Sequence, residues 1–276
     1  MLDYLLIGHV CMDLVPGGYT LGGTASFCGR LGELFGWKTG LLTSYGTDFL
    51  FEKELQNLEV VVKPAAATTI FDNHYRGNRR TQFLKAEATN LVPADLPTAW
   101  RAARWVHLAP IADEVRLFKK DHFSPTTRLV ATPQGWFRRR HPTTHQVLRQ
   151  SPDFQLFREM DIVILSEDDL PQVDLLKTLV ELVPTVVVTR DERPAWLFTK
   201  GQQRIYPVIP TRVVDPTGAG DAFATGFLFQ LDRGGSASAA MAFGHAVASV
   251  CLEGRGLGNL GEVGEIERRF RAYSTI

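Results

Sequence analysis

The sequence predicts an α/β chain built on a mostly parallel sheet with helices on both faces, plus a small separate sheet. Three observations predict it. Short apolar runs recur along the whole length, among them Tyr4-Leu5-Leu6-Ile7, Thr39 to Thr43, Trp105 to Leu108, Arg128 to Ala131, Asp161 to Leu165 and Thr185 to Thr189. Continuous runs of this length suit strands buried on both faces. Most are separated by segments that can form helices, the alternation that parallel strands need for their crossovers. Between Val60 and Leu84 the pattern changes: Val60-Val61-Val62, Thr68 to Phe71 and Thr81 to Leu84 follow one another without helices. That predicts a small antiparallel sheet.

Taken in order, the first run closes on Gly8, and Asp13 follows five residues later, near the strand edge where open α/β sheets bind ligands. Asp13 reads either as an acceptor for two vicinal hydroxyls of a polyol or as a turn residue before Gly17-Gly18. Gly22-Gly23 precede a helix through Phe27, Leu31, Leu34 and Phe35, and paired glycines there let backbone approach a ligand closely. A further helix is expected through Phe51, Leu55 and Leu58. The stretch Pro133 to His141 carries Arg138, Arg139 and Arg140 beside aromatics; a solvated loop is the favoured reading over a phosphate contact. Ser166-Glu167-Asp168-Asp169 ends a strand with hard oxygen ligands that suit Mg²⁺ held largely through water and phosphates, and equally suits an acidic helix cap.

The most informative stretch runs from Val213 through Asp215-Pro216-Thr217-Gly218-Ala219-Gly220-Asp221-Ala222-Phe223 to Leu228. Small residues at Gly218, Ala219 and Gly220 leave amide groups uncovered, and the helix that follows adds its own unpaired donors and positive dipole end. Such a nest binds an anion. No Lys-Ser/Thr pair follows, so this is not the Walker-type phosphate loop. It ends instead in Asp221, placed to take a proton from a hydroxyl attacking a phosphate, although Asp before a helix is most often only an N-cap.

The string from Asp215 to Phe223 resembles the C-terminal signature of the ribokinase-like (PfkB) carbohydrate kinases, and Gly22-Gly23 resemble their N-terminal signature. The resemblance implies one kinase domain over residues 1–276, with a β lid over the sugar from about residues 11–21 and 60–86. It implies Asp221 as catalytic base with Gly218, Ala219 and Gly220 as the anion hole, and Asp13, Gly22 and Gly23 around the acceptor. Thr189, Thr217 and His245 match positions near the nucleotide, Glu167 and Asp169 those near Mg²⁺. Asp215 and the backbone of Thr217 match the positions that hold potassium in many relatives, and Asp215 reads equally as bonding its own turn before Pro216.

Departures are visible as well. Phe27 stands where the family usually carries Asn, Ser166 and Asp169 replace the Asn and Glu of the Asn-x-x-Glu element, and Asp191 and Pro194 replace both glycines of a Thr-x-Gly-x-x-Gly turn. The region closes on Gly254-Arg255-Gly256-Leu257-Gly258. The short lid and Thr132-Pro133-Gln134-Gly135-Trp136 look like short family members that include inositol kinases.

Composition narrows the classes. Lys plus Arg and Asp plus Glu are 30 each, so no global field draws the chain to nucleic acid or an anionic membrane. Three widely spaced cysteines, Cys11, Cys28 and Cys251, read as reduced thiols, and no apolar run reaches the length of a membrane span. The expectation is a cytoplasmic phosphotransferase, monomer or homodimer, using ATP and Mg²⁺ on a sugar, sugar derivative or polyol. A nucleoside kinase and a catalytically silent ligand-binding protein on the same fold are the alternatives.

Overall fold

The computed structural model describes residues 1–76, 79–170, 173–256 and 263–273, so Leu257 and Gly258 of the closing glycine stretch lie outside the described residues. The N-terminal half supplies β1 (Tyr4–Ile7), β2 (Cys11–Val15), β3 (Gly18–Gly22), α1 (Thr24–Leu34), β4 (Thr39–Tyr45), β5 (Glu59–Pro64), β6 (Thr69–Arg76), β7 (Arg79–Ala86), β8 (Trp105–Leu108) and β9 (Arg128–Ala131). After them come β10 (Arg138–Arg140), β11 (Val147–Arg149), β12 (Ile162–Ser166), α2 (Val173–Leu182), β13 (Thr185–Arg190), β14 (Arg193–Thr199), β15 (Gln202–Tyr206), α3 (Ala219–Asp232), α4 (Ala237–Leu252) and α5 (Val263–Tyr273).

Nine strands form the large sheet in the order β15-β14-β13-β12-β9-β8-β1-β4-β5. Pairing is parallel from β13 across to β5, and only the β14 and β15 edge is antiparallel. The period of two in β1 sends Tyr4 and Leu6 to one face and Leu5 and Ile7 to the other. The first face packs on Ala25 and Cys28 of α1 and on Phe223 and Phe227 of α3. The second packs on Trp100, Phe118, Trp136, Phe157 and Leu179. Of these, only Leu179 lies on an α-helix, α2.

Helices therefore cover the two faces unequally. The crossovers from β8 to β9 and from β9 to β12, expected to carry helices, hold short 3₁₀ turns and the β10–β11 hairpin. Pro110 and Pro125 punctuate the first, and Pro133, Pro142 and Pro152 the second; each removes an amide donor and prevents a long helix. The helix expected through Leu58 is one turn, Glu52–Leu55, because the chain must extend again at Glu59.

A four-stranded sheet in the order β3-β2-β6-β7 stands apart from the large one. Its β2–β6 pair is parallel, whereas the β2–β3 and β6–β7 pairs are antiparallel. Val60-Val61-Val62 do not belong to it: they pair in parallel with Leu41, Leu42 and Thr43 at the edge of the large sheet. One face of the small sheet rests on a satellite cluster of Cys11, Phe71, Leu84, Ile111 and Ala112, with Val147 of the hairpin against it. The hairpin is tied to β7 by the Leu84 amide, which donates to the His145 carbonyl at 2.8 Å. No helix among the described residues is long and apolar enough to cross a membrane.

Candidate active site

Helix α3 begins at Ala219 with Gly218 as its N-cap, in the left-handed region at φ 79°. A side chain is excluded there twice over, since an added Cβ would also lie 2.2 Å from the Phe27 ring. The first intrahelical bond runs from the Ala222 amide to the Gly218 carbonyl, so the amides of Gly220 and Asp221 lie ahead of it at the open end of the helix. Gly220 faces open space, with no atom within 4 Å of where a Cβ would stand. The nest is thus walled by an aromatic ring on one side and open on the other.

Asp215 fastens the loop that leads to the nest. Its two oxygens accept from the Thr217 amide at 2.9 Å and the Gly256 amide at 3.1 Å. The Cys251 thiol lies 3.9 Å from the Thr217 carbonyl, and the Cys28 thiol lies 3.6 Å from the Asp221 carbonyl. All three cysteines are free and buried.

The Asp221 carboxyl is pushed up to about 6 by burial; a hydrogen bond from Thr24 and the charge of Arg138 act the other way, and Asp169 adds to the rise. Asp13 on β2 is also pushed up to about 6 by burial, against an Asn73 hydrogen bond and the charges of Arg80 and Arg138. Arg138 is therefore felt by both carboxylates, one from each end of the chain. Burial depresses its own guanidinium, while Asp169 and Asp221 counter that.

The seat of Asp13 explains the first glycine of the pair: a Cβ on Gly22 would fall 2.2 Å from an Asp13 carboxylate oxygen. Gly23, the N-cap of α1, has φ 94° and lies against the His9 carbonyl. Across the small sheet Asn73 donates to Asp13 at 3.1 Å, and Gln82 donates to Asn73 at 2.8 Å. A cavity of about 160 Å³ is lined by apolar Phe71, Leu84, Ile111 and Val147 and by charged Glu87, Asp113, Arg138, Arg139 and Arg140.

Other expected site residues fall differently. Asp169 has its carboxyl raised by burial, with Arg138 the main opposing charge. Glu167 is paired with Arg190 and with Arg193, and Arg190 also stacks on Trp196 at 3.9 Å. Thr189 is the penultimate residue of β13 and donates to the Leu165 carbonyl at 3.4 Å. His245 sits inside the helical layer, edge-on to Phe223 and stacked on Tyr273, with Nε2 buried and without a hydrogen-bond partner. Burial lowers this imidazole to about 4. It is a neutral interior group.

Residue-level reading of the sequence missed Arg138, Asn73 and the Thr24 hydroxyl. Arg138 sits within the arginine run read as a solvated loop; the run forms β10 instead, with Arg139 exposed and Arg138 half-buried. The signal that was available is the preceding Thr132-Pro133-Gln134-Gly135-Trp136, a 3₁₀ turn fixed at the end of β9.

Comparison with known proteins agrees with this geometry. Residues 141–262 match the model of the pfkB family carbohydrate kinases. The cytidine kinase of Thermococcus kodakarensis is 30% identical over 259 residues, covering 85% of this chain and 90% of that one. The inositol 3-kinase of Arabidopsis thaliana is 24% identical over 90% of this chain and 73% of its own. Arabidopsis thaliana ribokinase, solved with ribose and ATP, superposes with a TM-score of 0.74 at 17% identity, over 98% of this chain and 99% of that one. With an anion nest ending in a carboxylate, a second carboxylate under a small sheet, and relatives of this kind along its whole length, the chain belongs to the PfkB family of carbohydrate kinases.

Proposed function

We propose that the chain moves the γ-phosphoryl group of ATP to a hydroxyl of a sugar or polyol, with Asp13 holding the acceptor and Asp221 as base. The observation that carries this reading is the pair of buried carboxylates, Asp13 and Asp221, both within the field of the Arg138 charge. The acceptor hydroxyl gives its proton to Asp221 as its oxygen bonds to phosphorus, and the bond from phosphorus to the bridging oxygen breaks, releasing ADP. The amides of Gly220 and Asp221, with Arg138, face the charge on the transferred group.

Two solved structures of this fold hold ATP, one of them with Mg²⁺. Mg²⁺ is held mostly by waters and phosphates with one or two carboxylates, and it supplies charge neutralisation to the leaving phosphates. Asp169 is the carboxylate that fits, whereas Glu167 is committed to Arg190 and Arg193. Asp215 accepts from the backbone amides of Thr217 and Gly256, which favours a nest held by protein bonds over one that needs a monovalent cation. Three free, buried thiols fit a reducing, cytoplasmic setting.

One observation favours a second reading. The similar protein from Thermococcus, which aligns over 85% of this chain, is a cytidine kinase. The deciding experiment is an ATP-consumption screen over polyols, sugars and nucleosides, repeated with potassium replaced by a bulky organic cation at constant ionic strength. Turnover with a polyol or sugar, unchanged by the cation, is the expected result. Turnover with nucleosides alone selects the second reading, saturable potassium activation lost in Asp215→Ala overturns the cation-free loop, and no turnover despite tight ligand binding identifies a silent binder.

A further inference from the structure

Arg140 ends β10 and turns its guanidinium toward the edge of the small sheet, where the reaction as proposed gives it no part. Its Nε donates to the Leu84 carbonyl at 2.8 Å, and its Nη2 donates to the Lys85 carbonyl at 3.2 Å and to His145 Nδ1 at 2.9 Å. A guanidinium has no acceptor, so His145 Nδ1 must accept. The Leu84 amide returns a bond to the His145 carbonyl at 2.8 Å, and Phe83 bridges Gln146 in antiparallel sense. His145 makes both contacts from φ 61°, a left-handed conformation uncommon outside glycine. These partners of Arg140 are neutral, so the contact uses the planar fork of the guanidinium and not its charge.

What this contact joins is the two groups assigned to acceptor and phosphoryl group. At a period of two, Arg138 and Arg140 share the half-buried side of β10, with Arg139 exposed on the other. In the small sheet Asp13 is the parallel partner of Phe71, so both side chains stand on one face, and Asn73 on that face donates to Asp13 at 3.1 Å. Phe71 and Leu84 from the small sheet and Arg138, Arg140 and Val147 from the hairpin line the same cavity. We infer that Arg140, with His145 as its acceptor, is a positioning residue that clamps the hairpin to the small sheet and so holds Arg138 and Asp13 at a set spacing.

The hairpin needs such a clamp. β10 and β11 pair only with each other among the named strands, and a two-stranded hairpin by itself is marginal in water. Its root is fixed, since the Gly135 amide donates to the Pro110 carbonyl at 2.9 Å, Trp136 to the Val115 carbonyl at 2.8 Å, and Arg138 Nη2 to Gln134 Oε1 at 2.8 Å. Its tip is held at β7, and the Arg140 side chain supplies two bonds there beside the one from the Leu84 amide. A misplacement of ~1 Å in a reacting constellation can cost ~10²-fold in rate, which is the scale on which a loose tip would be felt.

This inference rests on the roles proposed for Asp13 and Arg138, and the test separates the two. Arg140→Lys keeps the charge, but one compact ammonium cannot span two carbonyls and an imidazole as the fork does. It is expected to lower kcat about tenfold, with KM for acceptor and ATP held within about twofold. In an Arg138→Gln background the same change should cost less than about twofold, since no guanidinium is left to place. A second arm restores the tie by another bond. Phe83 and Gln146 face each other across the bridge, and facing residues stand ~4.5–5.5 Å apart at Cα, within the span of a disulfide. Phe83→Cys with Gln146→Cys, oxidised by diamide, should return the Arg140→Lys protein to within about twofold of wild-type kcat, and reduction should remove the gain. Unchanged kcat per folded molecule in Arg140→Lys, losses that multiply in full with Arg138→Gln, or no recovery on cross-linking overturns the clamp while Arg138 stands. If Arg138→Gln alone leaves kcat unchanged, the role of Arg138 fails and the clamp falls with it.

Discussion

Burial around Asp221 raises its carboxyl to about 6, so at pH 7 the folded chain carries a charge that its surroundings disfavour. In the unfolded chain the same group titrates near ~3.9. Below that value both states are protonated and nothing is lost; between there and 6 the unfolded state ionises first, and the folded state stays at a disadvantage above 6. Asp221→Asn should therefore raise Tm at pH 7 by a few degrees, at ~2–4 °C per kcal/mol for a chain of this size, and leave it unchanged at pH 3. The same variant should lose about two to four orders of magnitude in turnover. A Tm that falls at pH 7 would show that the carboxylate supports the fold. Asp221 and Gly218 were legible because their motif is contiguous. Arg138 was not, since which arginine of the run turns inward is set by pairing with Val147–Arg149 across the hairpin. His245 and Glu167 were placed by position alone, and the partners that occupy them, Tyr273 and the pair Arg190 and Arg193, come from other elements.

Among elements, the parallel strands were legible from their apolar runs, and the crossovers were misread where prolines stand at intervals too short for a helix. Val60-Val61-Val62 show the limit of local pattern: three β-branched residues declare a strand, but only tertiary pairing with β4 decides which sheet it joins. The Pro133–Phe137 turn is the element most exposed to test. Gly135→Ala drives a Cβ against backbone at Pro110, which cannot swing aside as a flexible side chain would. It should cost roughly 1–3 kcal/mol in a denaturant melt. Gly264→Ala on α5, where the added carbon meets open space, is the control and should be neutral or slightly stabilising. Equal stability in the two variants would show that the turn is free to shift away from Pro110.

At the scale of the molecule, the large sheet carries helices α1 and α3 on one face and mainly short turns on the other, and the small sheet rests on a satellite cluster of its own. A neutral chain with 30 residues of each sign left nothing global to read, and the function was legible only in local motifs. Asp13 and Asp221 come from opposite ends of that chain, yet burial brings both to about 6. For the free enzyme this sets a proton stoichiometry. With Asp13 and Asp221 in the roles proposed, two hydrogen ions must leave before an acceptor can be both gripped and activated, so log kcat/KM should fall with a slope of about two below pH 6. Once the acceptor occupies Asp13 only one titration remains, and log kcat should fall with a slope of about one. Mild acidification thus throttles capture of a scarce acceptor more steeply than processing of an abundant one, and equal slopes in the two profiles would refute it.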